Sequence, residues 1–268
     1  MRALTVSALL DERDWEFRPD AMVGGYVASH ALNGPSGRSS VAGVAACADL
    51  RRHDLGGCQV KGLRARRQLN AVGLALAGCS ENPSAELGEV VRETTGPFRG
   101  APLVPGGPAV TLSGKLCLEL AAVSASPIGA DVEVDRTLPE RVARWIRAES
   151  SDWAPWEGAG ATTLTWVLIE AFLKMLRVGF RFGLLAVPVV HGCGRLSYHV
   201  RPDAGRLLAR LGVDLAGLGP ATLHGTVLRG GGAIAAVLVR RTDTECLPAP
   251  GKQDCEGERK GSRPCAMP

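Results

Sequence analysis

Ile128-Gly129-Ala130-Asp131-Val132-Glu133 sets two carboxylates two residues apart inside an apolar run. The stretch reads as a β-strand. On a strand, side chains at i and i+2 share a face, so Asp131 and Glu133 point one way while Ala130 and Val132 point into a core. Like charges side by side cost energy unless a cation, a metal ion or an arginine compensates them. Paired carboxylates beside a phosphate ligand are a usual way of holding Mg²⁺. From this stretch alone a plainer reading is favoured: the end of a strand with two solvated acids and Arg136 as ion-pair partner.

Working outward, the pattern predicts strands over 109–112, 116–123 and 128–134, the last two joined as antiparallel neighbours by Ser124-Ala125-Ser126-Pro127. Before them, 95–107 is a Pro/Gly loop expected on the surface. After them, Pro139 suits a first helical turn and Val142, Trp145 and Ile146 recur at helical spacing, which predicts a helix over 138–149. The most periodic segment is 162–177. There Leu164, Val167, Leu168, Ala171, Phe172, Met175 and Leu176 form an apolar face, while Thr163, Trp166, Glu170, Lys174 and Arg177 fall within one narrow arc opposite it.

Further out the signals weaken. Residues 1–18 read as a short strand and a charged segment, and 24–43, rich in Gly, Ser and Asn, as loop. Residues 64–77 suggest a helix opening on Arg64, Arg66 and Arg67, a cluster that suits either an anion or solvent. Strands are expected over 184–190 and 195–200, a short helix over 203–211, and a closing hairpin of 222–228 with 233–240. The polar tail from 246 to 268 is expected to be disordered.

The chain has 268 residues, 46% of them hydrophobic, enough for one large domain or two ordinary halves with a sizeable core. A net charge of +4 is too mild for a nucleic-acid surface and leaves small acidic ligands or acidic protein partners open. Only 5 of the 31 basic residues are lysine, so each lysine draws notice. The eight cysteines form no C-x-x-C pair, which argues against a zinc or redox motif and for free thiols in a reducing cytoplasm. No secretory signal and no run of membrane-spanning length is read.

Two pieces now stand together: Gly129-Ala130-Asp131-Val132-Glu133, and Trp166-Val167-Leu168-Ile169-Glu170-Ala171-Phe172-Leu173-Lys174. The arrangement resembles the larger, single-chain 4′-phosphopantetheinyl transferases of peptide and polyketide assembly. Their signature pairs a G-[IV]-D-[IV]-E strand with a W-x-x-K-E-[AS]-x-x-K helix. Upstream, 99–107 resembles the family's G-x-P-x-x-P loop and Val110-Thr111-Leu112-Ser113 the start of its S-L-S-H-S segment.

The resemblance implies an α+β fold of two pseudo-symmetric halves, each a small antiparallel sheet packed against a long helix, with the ligand cleft between them. On that basis 1–123 would form the N-terminal half and 124–245 the C-terminal half carrying the acidic motifs, in a monomer. The implied reaction is Mg²⁺-dependent transfer of the phosphopantetheine arm of coenzyme A to a serine of an acyl or peptidyl carrier protein, in cytoplasmic secondary metabolism. Asp131, Glu133 and Glu170 would hold Mg²⁺. Glu170 would also serve as base toward the serine, and Lys174 would face the phosphates. Arg64, Arg66 or Arg67 would take the 3′-phosphate.

Two family positions are altered. Gly114 stands in place of the histidine after the serine, and Ile169 in place of the lysine before the helix glutamate. Each change removes a charged donor typically worth about 1.5–3 kcal/mol. Lys115 is a candidate to fill the place of the histidine. A second class of function therefore stands beside the first: a transferase-like protein that has lost the original reaction, either repurposed, for example as a cyclase of a pathway intermediate, or acting as a binding partner.

Overall fold

Residues 4–20, 25–33, 40–48, 68, 70–75, 77, 89–96, 98–115, 118–134, 138–150, 159–191, 194–213, 215, 218–219 and 222–240 are described by the computed structural model. Arg64, Arg66, Arg67, Arg136, Trp153, Trp156 and the 246–268 tail lie outside them. In chain order the strands are β1 (Leu4–Asp14), β2 (Arg18–Asp20), β3 (Gly25–Asn33), β4 (Ser40–Ala48), β5 (Val91–Arg92), β6 (Pro102–Leu103), β7 (Ala109–Lys115), β8 (Leu118–Ser124), β9 (Ile128–Val134), β10 (Ala186–His191), β11 (Arg195–Val200), β12 (Leu223–Gly230) and β13 (Ala233–Arg240). The helices are α1 (Glu140–Ser150), α2 (Ala159–Met175) and α3 (Pro202–Arg210). Further helical residues lie at 70–75.

The class is α+β, strand-rich, with two larger sheets covered by helices. One sheet runs β10-β11-β1-β12-β13-β9 and the other β2-β3-β4-β8-β7. β1 pairs parallel with β12; the other pairings within these sheets are antiparallel. The six-stranded sheet thus draws β1 from the first residues of the chain and its remaining strands from 128–240.

Three apolar layers hold these elements. Ala71, Val72 and Ala75 pack with Ala45, Cys47, Val110, Ala121 and Val123 on the outer face of the five-stranded sheet. Between the sheets lie Ala28, Ala42, Val44, Ala46, Leu120 and Ala122 from one side and Ala130, Val132, Ala235 and Val237 from the other. On the far face of the six-stranded sheet, Leu168, Phe172 and Leu173 of α2 meet Val6, Leu196, Tyr198, Ala236 and Leu238. Tyr198 stacks on Phe172 with ring centroids 4.1 Å apart and donates its hydroxyl to Leu168 O at 3.0 Å, which fixes α2 against the sheet.

Several expectations change here. Residues 24–43, read as loop, hold β3 and the start of β4. Their small side chains reflect the close approach of two sheets, with Ala28 and Ala42 buried between them. β1 continues through the charged Asp11-Glu12-Arg13-Asp14, because its second half takes β12 as a partner. Ser124-Ala125-Ser126-Pro127 does not join antiparallel neighbours. β8 pairs with β4 and β7, and the chain then crosses to the other sheet, where β9 pairs with β13. β8 is buried on both faces, so the crossing follows from a strand that needs cover on each side. The β12–β13 hairpin forms as expected, around Gly231 and Gly232 at φ 59° and 73°, the two positive angles that a two-residue turn requires.

Candidate functional site

The seam between β9 and α2 builds the site. A Cβ at Gly129 would lie 2.0 Å from Ala171 O and 2.3 Å from Met175 N, so only glycine lets α2 lie this close to the strand. Two and four residues on, Asp131 and Glu133 share the strand face of Gly129 and meet the polar arc of α2. Ala130 and Val132 enter the layer between the sheets. The acids are buried, Asp131 at 2% and Glu133 at 4% exposure, which removes the reading of them as solvated charges.

Each acid has a cation. Lys174 Nζ donates to Asp131 Oδ1 at 2.6 Å and lies 3.7 Å from Glu170 Oε2. Lys115 Nζ donates to Glu133 Oε1 at 2.6 Å. Ser113 Oγ donates to Asp131 Oδ1 at 2.6 Å. Two of the chain's five lysines therefore stand on these carboxylates, delivered by β7 and α2 from either side of β9. Glu133 Oε2 is buried without a hydrogen-bond partner, an expensive state for a carboxylate oxygen.

Glu170 sits in the middle. Burial, and then the negative charge of Asp131, push its carboxyl from the ordinary 4.5 up to about 8, against the pull of Lys174. A hydrogen bond with Asp131 and the nearby charge of Glu133 act in the same upward direction. Near neutral pH the Glu170 carboxyl thus carries a proton that a further cation would displace.

Asp131, Glu133 and Glu170 are a donor set suited to a hard divalent ion such as Mg²⁺. The unpartnered Glu133 oxygen and the proton on Glu170 both indicate an acid cluster short of positive charge. In the side-chain arrangement present, no three His, Cys, Asp or Glu residues among the described residues converge into a ready metal cage. The two lysine ammoniums occupy carboxylate oxygens that an ion would share.

Beside the acids lies a cavity of about 550 Å³. Its wall includes Lys174, Arg177, Arg92 and Arg99, with Pro102, Leu103, Val110 and Ile128 as apolar surface. Every charged residue lining it is a cation. Arg177 is paired with Glu93, Arg92 with Gly100 O, and Lys174 with Asp131, whereas Arg99 is exposed and has no partner among the described residues.

The structure therefore brings Asp131, Glu133, Glu170 and Lys174 together from separate motifs. It turns Lys115 toward Glu133, and Arg64, Arg66 and Arg67 lie outside the described residues. Ile169, 1% exposed, packs in the core beneath α2. Arg92, Arg99 and Arg177 join the site without having been singled out as ligand residues. The available signals were the place of Arg177 on the polar arc of the helix and of Arg99 at the head of the Pro/Gly loop. No family model matches this chain, and no curated protein is similar to it in sequence.

Proposed function

We propose that the protein transfers the 4′-phosphopantetheine arm of coenzyme A to a serine of an acyl or peptidyl carrier protein, with Mg²⁺ as cofactor. The observation that carries this reading is the meeting of Asp131, Glu133, Glu170 and Lys174, from a strand and a helix far apart in sequence, with Lys174 also lining a cationic cavity. In the reaction the serine Oγ forms a bond to the β-phosphorus of coenzyme A. The bond to the departing adenosine 3′,5′-bisphosphate breaks, and the serine proton leaves to a base. Glu170 takes that proton, directly or through water, once its own proton has been displaced. Lys174 holds a phosphate oxygen at the cavity rim, and Arg92 and Arg99 supply charge for the remaining phosphates. Asp131, Glu133 and Glu170 would hold Mg²⁺, which would supply positive charge against the charge that develops on the pyrophosphate.

One observation favours a second reading. Lys115 is committed to Glu133 and Ile169 to the core, so neither restores the donors lost at 114 and 169. A transferase-like protein with a repurposed pocket, acting on another intermediate or binding a pathway partner, accommodates this. Intact mass spectrometry decides between them: several apo carrier proteins are incubated with coenzyme A, Mg²⁺ and either wild type or Glu170→Ala. A phosphopantetheine-sized gain with wild type, absent with the variant, supports transfer. No gain with any carrier, from folded protein, overturns it.

A further inference from the structure

α2 ends in a conformation that its residue does not favour. The amide of Val178 donates to Leu173 O at 3.0 Å and that of Arg177 to Lys174 O at 2.9 Å, the paired bonds of a Schellman cap. This places Arg177 in the left-handed region at φ 63°, as no other non-glycine residue among those described. Glycine normally takes this position. A large side chain kept where it strains its own backbone points to work done by that side chain.

The work is visible in its contacts. The Arg177 guanidinium donates to the Glu93 carboxylate and lies over the Phe98 ring, 5.4 Å from its centroid. Glu93 and Phe98 belong to a turn that is already closed on itself. Gly100 N donates to Glu93 O at 2.7 Å, Glu93 N to Ala101 O at 3.0 Å, Ala101 N to Phe98 O at 3.0 Å, and Arg92 Nη1 to Gly100 O at 2.7 Å. The turn meets the end of α2 through this ion pair and through Phe98, which packs against the core that α2 covers. It carries Arg99, the uncommitted cation of the cavity wall.

We infer that Arg177 is a positioning residue: it clasps the 93–101 turn onto the C-terminal end of α2 and so sets the distance between Arg99 and Lys174 across the cavity, for an anionic ligand. That this ligand is coenzyme A rests on the reading proposed above; the clasp does not.

Arg177→Gly separates the two roles of the residue, because it suits the backbone and deletes the clasp. The melting temperature is expected to hold or to rise by up to about 3 °C. The amides of Gly100 and Ala101 are expected to exchange faster by at least about tenfold, and tryptic cleavage after Arg99, followed by fragment mass, to accelerate. The Kd for coenzyme A rises by about tenfold, as KM with kcat unchanged in the transfer assay. Glu93→Gln gives a loss in the same direction, and the double variant is no worse than the weaker single. Unchanged exchange and cleavage in Arg177→Gly overturn the clasp. A loosened turn with unchanged coenzyme A affinity overturns its role in the cavity. Should wild type bind no coenzyme A, the functional reading fails while exchange and cleavage still decide the clasp.

Discussion

Each of the two sheets buries acid on the side covered by helical residues, and the two burials differ in kind. On the five-stranded sheet Glu119, 3% exposed, takes a hydrogen bond from Gln68 Nε2 at 2.8 Å, opposite Cys47 in the register. On the six-stranded sheet Asp131 and Glu133 lie beside Glu170, with two lysines, a serine hydroxyl and one carboxylate oxygen left without a partner. An ion taken out of water costs several kcal/mol before any partner repays it. A single acid that accepts from an amide is within what a fold tolerates for its own reasons. Three acids and two cations at one seam, one of the cations also lining a cavity, are more charge than packing alone explains.

The sharpest way to break that contrast is to remove one acid from each place. Glu170→Ala is expected to lower the rate of phosphopantetheine transfer by about 10³-fold, read by mass spectrometry of the carrier protein, with the fold intact by circular dichroism. Glu119→Gln, which keeps a side-chain acceptor for Gln68, should leave the rate within about twofold and cost about 1 kcal/mol of stability. Equal losses of activity in the two variants would erase the distinction between a structural acid and a reactive one.

The next effect concerns the contact that aligns strand and helix. Gly129→Ala places a methyl group into the α2 backbone near Ala171 and Met175, and is expected to destabilise by about 3 kcal/mol in denaturant melts. It should also lower transfer in the surviving folded protein, because displacing α2 moves Glu170 and Lys174 away from Asp131 and Glu133. A neutral result would mean that the seam is looser than its geometry implies.

How much of this was legible follows from which forces were local. The helix 162–177 was readable because its apolar face repeats at helical spacing, and the strand 128–134 because its pattern is short and bounded. Their meeting was suggested by resemblance, not by periodicity, since the Gly129 contact joins residues some forty apart in the chain. The strands over 25–48 were hidden. In a thin layer between two sheets, alanine and glycine fill the space that valine and isoleucine fill elsewhere, so the usual strand composition is absent. The crossing at 124–127 was misread because a short polar turn is the same in sequence whether it closes a hairpin or links two sheets. Burial of Asp131 and Glu133 was invisible for a related reason: both depend on cover from α2 and on lysines from elements that sequence distance does not order.

Lysine 174 offers a smaller test of the same charge balance. Lys174→Met keeps the stem and removes the ammonium from Asp131, whose side chain is 3% exposed. With the lysine itself 26% exposed, solvent screens part of the interaction, and a loss of about 2 kcal/mol at neutral pH is expected. Adding Asp131→Asn should recover most of it, because the uncompensated charge is then gone. Failure of the second change to rescue the first would mean that the pair contributes through packing and not through charge.

The mildest effect is in pH, and its sign is fixed by Glu170. Folding raises this carboxyl from 4.5 to about 8, so between those values the folded protein holds a proton that the unfolded chain has released. Stability from this group is therefore full below the unfolded value and is lost as pH rises through about 8, at no more than about 1.4 kcal/mol per pH unit. In denaturant melts of protein free of divalent ions, wild type is expected to weaken from pH 5 to pH 8 more steeply than Glu170→Gln, which cannot ionise. Saturating Mg²⁺ should flatten the wild-type slope, because an ion on the acids favours the charged form that burial and Asp131 oppose. A slope that persists in Glu170→Gln would assign the pH dependence to other groups. A slope in wild type that Mg²⁺ leaves untouched would mean that the lysines already satisfy the cluster, and would leave the six-stranded sheet's acids closer in kind to Glu119.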